Sequence, residues 1–374
     1  MKEVLHVLSA IDGGGGERVV YNYYKHLDRT KVHFTITAID KHRKQLLEDG
    51  FREMGADIVY VPKGIFARLK AINKLLRTQK FDAIHCHRIF LAELYMLLGW
   101  MNNVPIRITH AHMAFVVGHL KGRFLNWLFK PLLKLFTTHR LACGKAAGKY
   151  VWGTLKNVII LNNAVDINNF SFDSKIRSEY RKRIGVSDED IVIGHVGRFN
   201  EQKNHPFLLH IYNALCAQYG DRNFHLVLIG EGEDEAKIRE LIEKSPNKSK
   251  IHMLGLQSDV NNWMQAFDLF LLPSLFEGLP VVGIEAQAAG LPCIFSDSIT
   301  SEFKMGEHVQ FISLTAPIET WTKWVYDYSK CQIRDDNTKC ITDKGFNINV
   351  EGKKLQNIYL GDHSAQTVPL VSLK

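Results

Sequence analysis

Residues Asp190 to His205 read DIVIGHVGRFNEQKNH. An apolar β-branched run, a loop holding glycine and two cations, and a helical pattern starting near Asn204 follow without interruption. That is the strand–loop–helix unit of a parallel α/β sheet. The same rhythm continues downstream in FHLVLIGEGE, KIHMLGL, FDLFLLP and LPCIFSD. Upstream it recurs in VLHVLSA, HFTITAI, DIVYVP, FDAIHCH and PIRITHA, with helices expected from Glu17 and over Leu91 to Trp100. Two doubly wound α/β domains in tandem follow. The polar stretch NNAVDINNFSF, from Asn162 to Phe172, breaks the periodicity. It sets the expected division: residues 1–165, residues 166–345, and a C-terminal segment 346–374 with a helix over Val350 to Tyr359, either crossing back or standing apart, and a polar tail.

Composition narrows the class. With 374 residues, 46% of them hydrophobic, and only 10 Pro and 27 Gly, the chain is neither disordered nor collagen-like. Six cysteines are scattered without a CxxC pair, which argues against a disulfide framework or a zinc ribbon and for reduced thiols. The N-terminus meets an acid and a glycine run too soon for the apolar region of a secretory leader. No apolar run approaches the roughly 20 residues of a spanning helix.

The net charge of +8 is unevenly divided: residues 1–165 hold 25 basic and 11 acidic residues, leaving 22 basic and 28 acidic for the rest. Between Glu93 and Asp166 there are nine Lys or Arg and no acid, a patch suited to polyanions or anionic lipid. Within it, GRFLNWLFKPLLKLF mixes aromatic and basic residues. The segment reads either as a helix lying in a membrane interface or as a core helix with solvated lysines.

Ligands of open α/β sheets bind beyond the carboxyl ends of the strands, and residues with chemical potential follow the strands here. Gly13 to Gly16 come directly after the first strand, placing backbone N–H groups where a phosphate oxygen can sit, or else forming a flexible turn. They match neither the dinucleotide fingerprint nor a phosphate loop. Arg198 and Lys203 are spaced to converge on one diphosphate, the alternative being solvated loop cations. In PSLFEGLPVVGIEAQAAGLP, residues 273–292, Glu277 lies in a loop and Glu285 in a helix opened by Val281. Two such carboxylates suit sugar or ribose hydroxyls, a hydrolase acid and base, or plain surface positions.

Taken in order, GGGGE, GRFNEQKN, GEGE (Gly230 to Glu233) and the Glu277/Glu285 segment resemble the retaining nucleotide-sugar glycosyltransferases of family four. The resemblance covers about 340 residues and points to the bacterial capsular and exopolysaccharide branch. It implies the GT-B fold, two Rossmann-like domains facing a cleft, the first binding the acceptor and the second the nucleotide sugar. It further implies that Arg198 and Lys203 hold the donor diphosphate with help from backbone at Gly15 and Gly16. Glu285 would bind the ribose, and Glu277 the transferred sugar, with Gly278, Leu279 and Pro280 contacting sugar and phosphate. Glu231 of GEGE joins the donor site. His112, after PIRITHA, matches the active-site histidine, with His87 and His110 as neighbours. The catalytic set is therefore His112, Glu277, Arg198 and Lys203, with neither metal nor cofactor required.

Two departures stand out: Asn163-Ala164-Val165-Asp166 has alanine where the family favours glycine, and Ser296 to Ser301 replaces a glycine-rich loop. HCH at 85–87 and HAH at 110–112 are read as strand alternation rather than metal spacing. The resemblance implies a UDP-sugar donor of hexose or N-acetylhexosamine and a polyprenyl-diphosphate-linked saccharide acceptor. An anionic membrane surface is expected to meet residues 113–149, at the cytoplasmic face of the plasma membrane. Nucleic acid is not expected. A sugar-nucleotide epimerase and a catalytically silent scaffold subunit are the competing classes.

Overall fold

Each run of alternating strand and helix pattern closes into its own parallel sheet. The computed structural model describes residues 1–12, 15–40, 42–87, 91–112, 131–331 and 334–362. The chain forms two compact units: Met1–Ala164 together with Ile348–Lys374, and Val165–Asn347.

The first unit holds β1 (Lys2–Val7), β2 (Val32–Ile39), β3 (Asp57–Val61), β4 (Ala83–Cys86), β5 (Ile106–Ala111), β6 (His139–Ala142) and β7 (Ile159–Ile160), in the order β3-β2-β1-β4-β5-β6-β7. The second holds β8 (Ile191–Val196), β9 (Phe224–Ile229), β10 (Ile251–Gly255), β11 (Leu269–Leu272), β12 (Cys293–Ser296) and β13 (Val309–Ile312), in the order β10-β9-β8-β11-β12-β13. Every pairing is parallel. Strands β9, β11 and β12 are buried along their whole length, as expected of strands covered on both faces. Both orders reverse direction once, between β1 and β4 and between β8 and β11. Those two switch points are where a doubly wound sheet opens a crevice for ligands.

The two faces of the second sheet carry separate cores, one around Val192, Phe270, Leu272 and Phe295, the other around Ile193, Leu226, Leu271 and Ile294. At Gly194 an added Cβ would fall 2.0 Å from the Phe267 ring, so β8 passes the ring only because it has glycine there. Glycine is not needed at Ala164, which is buried and lies outside the left-handed residues.

The C-terminal helix Ile348–Leu360 belongs to the first unit rather than standing apart. Ile348, Leu355, Ile358 and Tyr359 pack into the core of Val4, Phe34 and Ile36. Gln356 accepts a hydrogen bond from the Asp28 N–H at 2.8 Å, and Lys354 donates to the Ile160 carbonyl at 2.6 Å. Burying four such side chains contributes on the order of 6–10 kcal/mol as an upper estimate. The polar tail from residue 363 lies outside the described residues.

Of the basic, aromatic segment, residues 113–130 also lie outside the described residues, including Lys121, Arg123 and Lys130. In the remainder, Leu133 and Phe136 are core while Lys134 and Leu135 are exposed. Among the described residues no helix is long and apolar enough to cross a membrane, and none of the six cysteines is in a disulfide.

Candidate active site

In the second unit the loop after β8 is shaped by the glycines of GEGE. Gly230 has φ +143°, and an added Cβ would lie 2.0 Å from the Gly197 carbonyl oxygen; one on Gly232 would lie 2.2 Å from that of Phe199. The two loops therefore touch backbone to backbone, Phe199 N–H donating to the Glu231 carbonyl and Asp234 N–H to that of Phe199, both at 2.9 Å. Phe199 is buried and Arg198 points to solvent, its Nε 3.1 Å from Glu233 Oε2. Glu231 thus contributes its carbonyl to the loop, and the acid facing Arg198 is Glu233. With side chains 70% and 57% exposed, this pair contributes little to stability and leaves Arg198 able to change partner.

Lys203 is held differently. Asn200 caps the single 3-10 turn Glu201–Lys203 through its side chain, and Lys203 Nζ reaches Glu277 Oε1 at 2.6 Å. Gln202 Nε2 donates to Glu277 Oε2 and to the Phe276 carbonyl, both at 3.0 Å. Backbone from Leu275 to Gln202 at 2.8 Å and Asn204 Nδ2 to the Pro273 carbonyl at 3.2 Å complete the lacing of the loops after β8 and β11. The switch point brings together residues 74 positions apart. A carboxylate offers about four lone-pair sites and an ammonium three N–H donors. In these contacts Glu277 keeps two acceptor sites and Lys203 two donors for a ligand.

Gly278 and Leu279 lead from Glu277 to Pro280, which precedes the helix Val281–Ala288; Glu285 sits in its second turn, half-buried. Behind the pair lie groups not singled out from sequence. His195 Nε2, both ring nitrogens of His205 and Ser274 Oγ are buried without a hydrogen-bond partner among the described residues. Burial, and then the Lys203 charge, hold His205 down to about 4; burial, then His205, keeps His195 well below the usual histidine range. Both rings are neutral. The Ser296 and Ser298 hydroxyls both donate to the Ser274 carbonyl, at 2.5 and 2.8 Å, so Ser298 is tied inward.

In the first unit the helix Gly15–His26 begins at the glycine run, of which Gly13 and Gly14 lie outside the described residues. An added Cβ on Gly16 would lie 3.7 Å from the His112 ring, placing that ring against the first helical turn; one on Gly15 would meet nothing within 4 Å among the described residues. His112 Nε2 lies 2.8 Å from His87 Nδ1, and His87 Nε2 lies 3.0 Å from His6 Nδ1. Tyr359 OH stands 3.3 Å from His6 Nε2 and 2.7 Å from His85 Nδ1. Burial lowers His112 to about 4 and His6 to about 3, and pushes His85, His87 and His110 well down. The pairs read as strand alternation form, with His6, one layer across three strands. Only register could reveal it, since His6 sits opposite His85 between β1 and β4.

Two parallel-sheet units with ligand-type loops at both switch points define the GT-B class of nucleotide-dependent transferases. The Anabaena protein Alr3699/HepE, solved in complex with UDP, shares the fold: TM-score 0.77 over 95% of this chain and 98% of that one, at 16% identity. Residues 13–169 match the family described as Glycosyltransferase Family 4, and residues 176–306 that described as Glycosyl transferases group 1. EpsF of Bacillus subtilis (strain 168), designated a glycosyltransferase, is 34% identical over 338 residues, 87% of each chain. An Escherichia coli UDP-Gal:alpha-D-GlcNAc-diphosphoundecaprenol alpha-1,3-galactosyltransferase is 27% identical over 312 residues, 78% of each chain. The chain belongs to the family-four glycosyltransferases.

Proposed function

We propose that this glycosyltransferase moves a hexose or N-acetylhexosamine from a UDP-sugar to a polyprenyl-diphosphate-linked saccharide in capsular or exopolysaccharide assembly, with retention and without a metal. The observation that carries the reading is the Lys203–Glu277 pair, part-buried at the β8/β11 switch point with unused donors and acceptors. Lys203 and the displaceable Arg198 supply positive charge to the departing diphosphate, which is where transition-state charge grows. Glu277, oriented by Lys203 and Gln202, accepts hydroxyl hydrogen bonds of the sugar, and Gly278 to Pro280 line its approach. Glu285 is assigned to the ribose, and Glu231 shapes the diphosphate loop through its backbone. In the first unit backbone at Gly15 and Gly16 is assigned to the donor diphosphate, and the neutral His112 to the reacting sugar.

The E. coli relative supports both the UDP donor and the lipid-linked acceptor. Retention implies front-face attack, a donor phosphate oxygen taking the acceptor proton, so no protein nucleophile is assigned. Basic residues between 113 and 149 are assigned to an anionic membrane surface carrying that acceptor. The test is calorimetric titration with UDP, GDP and a panel of UDP-sugars, with Glu277→Ala alongside, followed by NMR of the product anomer. UDP binding that Glu277→Ala leaves intact while losing sugar selectivity supports the assignment; absence of nucleotide binding by folded protein overturns it.

A further inference from the structure

Between Asp57 and Asp82 the chain holds six Lys or Arg residues and no acid. The helix Ile65–Thr78, which leads from β3 to β4, is built from this stretch. Arg68, Ile72 and Leu76, four residues apart, are its buried stripe. Phe66, Lys70, Lys74 and Arg77 are spaced four, four and three apart, so at about 3.6 residues per turn they form a second stripe on the opposite, exposed side. We infer that this outer face docks on an anionic phospholipid bilayer, its cations at the headgroups and Phe66 with Ile65 inserted at the acyl boundary.

Three observations converge. First, Phe66 is 87% exposed, more than any other large apolar side chain among the described residues, and Ile65 beside it is 40% exposed. Every residue from Pro62 to Ala67 is exposed, so the pair forms the tip of a projecting turn rather than a stray surface position. Second, the charges are unpaired. Surface helices of the second unit set an acid four residues from a cation, as in Glu179–Arg183, Glu235–Arg239, Glu240–Lys244 and Lys323–Asp327. Here no acid is present, and among the described residues no ion pair holds Lys63, Lys70, Lys74 or Arg77. Like charges four residues apart repel, so Lys70 and Lys74 oppose the helix until an anion meets them. Third, the inner side is fixed. Arg68 Nε donates to Tyr95 OH and Asn102 Nδ2 to Asn73 Oδ1, both at 2.9 Å, while Ile72 and Leu76 pack with Val61, Ile84 and Tyr95. The outer stripe is therefore presented on a rigid support, with no ordering needed on contact.

The face suits a bilayer better than another polyanion. Single-stranded nucleic acid is held by a succession of stacking rings, and Phe66 is the one ring of this stripe. Ile65 and Pro62 make the tip aliphatic as well as aromatic, which suits acyl chains. From Phe66 to Arg77 the stripe runs about 16 Å along the helix, enough for its cations to meet several headgroups at once. Each Lys or Arg near such a surface strengthens binding about fivefold. The helix keeps its apolar side in the core, so it rests on the bilayer and only the tip enters. The inference extends the membrane contact assigned to residues 113–149 to a second element and rests on that reading for the acceptor; it uses no residue of the donor site.

The test is sedimentation of the full chain with vesicles of equal parts phosphatidylglycerol and phosphatidylcholine. Lys70→Gln, Lys74→Gln and Arg77→Gln together are expected to weaken binding about a hundredfold. Phe66→Ser alone weakens it about tenfold. All four positions are exposed, so the circular dichroism spectrum and the UDP affinity stay unchanged. Lys175→Gln, Lys182→Gln and Lys237→Gln, which remove the same charge from the exposed surface of the second unit, leave vesicle binding within about twofold. Binding that resists both helix variants but is lost when Lys121, Arg123, Lys130 and Lys134 become Gln overturns this inference and spares the membrane reading. Absence of vesicle binding by the wild type overturns both. Binding that ignores Phe66→Ser, or a single-stranded RNA held more tightly than the vesicles and released by the triple variant, also overturns it, since the stripe would then be a general polyanion surface.

Discussion

Replacing Lys203 by methionine separates what the Lys203–Glu277 pair does for folding from what it does for transfer. The charges lie 2.6 Å apart with side chains 13% and 10% exposed. At an effective dielectric of about 20 their attraction is about 6 kcal/mol. Desolvation takes back several kcal/mol per ion, so the net contribution of the pair is small. Truncating one partner strands the other charge. For a fully buried pair that costs about 3–5 kcal/mol; the residual exposure and Gln202 bring the expectation to about 2–3 kcal/mol here. For a unit of this size the loss corresponds to roughly 4–12 °C in Tm. The double variant Lys203→Met/Glu277→Leu strands no charge and should return to within about 1 kcal/mol of wild type. Catalysis should not follow stability: Lys203→Met removes the charge proposed to act on the leaving diphosphate and should lower kcat/KM by about 10²–10³-fold, in the double variant too. Thermal melts and initial rates on the same preparations decide. If activity returns with stability in the double variant, the pair is structural and the donor assignment fails.

Buried neutral histidines make stability pH-dependent. Their folded values lie below the unfolded value near 6.5, so their contribution is full above about pH 6.5 and falls as pH drops toward 4, by up to about 1.4 kcal/mol per pH unit per group; urea melts that are flat between pH 7.5 and 5 would contradict this. Gly232→Ala forces a Cβ against the Phe199 carbonyl. It should displace the Arg198 loop, costing about 1–3 kcal/mol in stability and weakening UDP binding at least tenfold in calorimetry. A chelator should leave transfer rates unchanged, and a rate restored only by added Mg²⁺ would refute the metal-independent reading. Changing Lys121, Arg123, Lys130 and Lys134 to Gln should reduce sedimentation with anionic liposomes while UDP affinity holds.

The two sheets were legible because strands covered on both faces are continuous apolar runs, and FHLVLI or LFLL announces itself without a partner. Helix starts were close: Gly15 against an expected Glu17, Ala92 against Leu91, His205 against Asn204, and Val281 as read. Convergence was less legible. Loop cations suggested that Arg198 and Lys203 would act together, yet the backbone contact between the Gly197 and Gly230 loops turns Arg198 to Glu233 and leaves Glu277 to Lys203. The histidine layer depends on register among strands separated by about 80 and 20 residues, and neither HCH nor HAH carries that information alone. Nor did the sequence place Tyr359, whose partners His6 and His85 lie at the opposite end of the chain.

The docking of Ile348–Leu360 has a consequence for biosynthesis. The second unit is an insertion whose ends meet, Val165 N–H donating to the Phe346 carbonyl at 2.9 Å beside the Val165–Asn347 bridge. On the ribosome it can close as soon as residue 347 emerges. The first unit, although most of it is synthesised before the second, waits with the surface around Val4, Phe34 and Ile36 uncovered until the helix Ile348–Leu360 arrives. The unit synthesised first is therefore the second to mature, and a ribosome that stalls before residue 348 leaves a finished second unit attached to an unfinished first one.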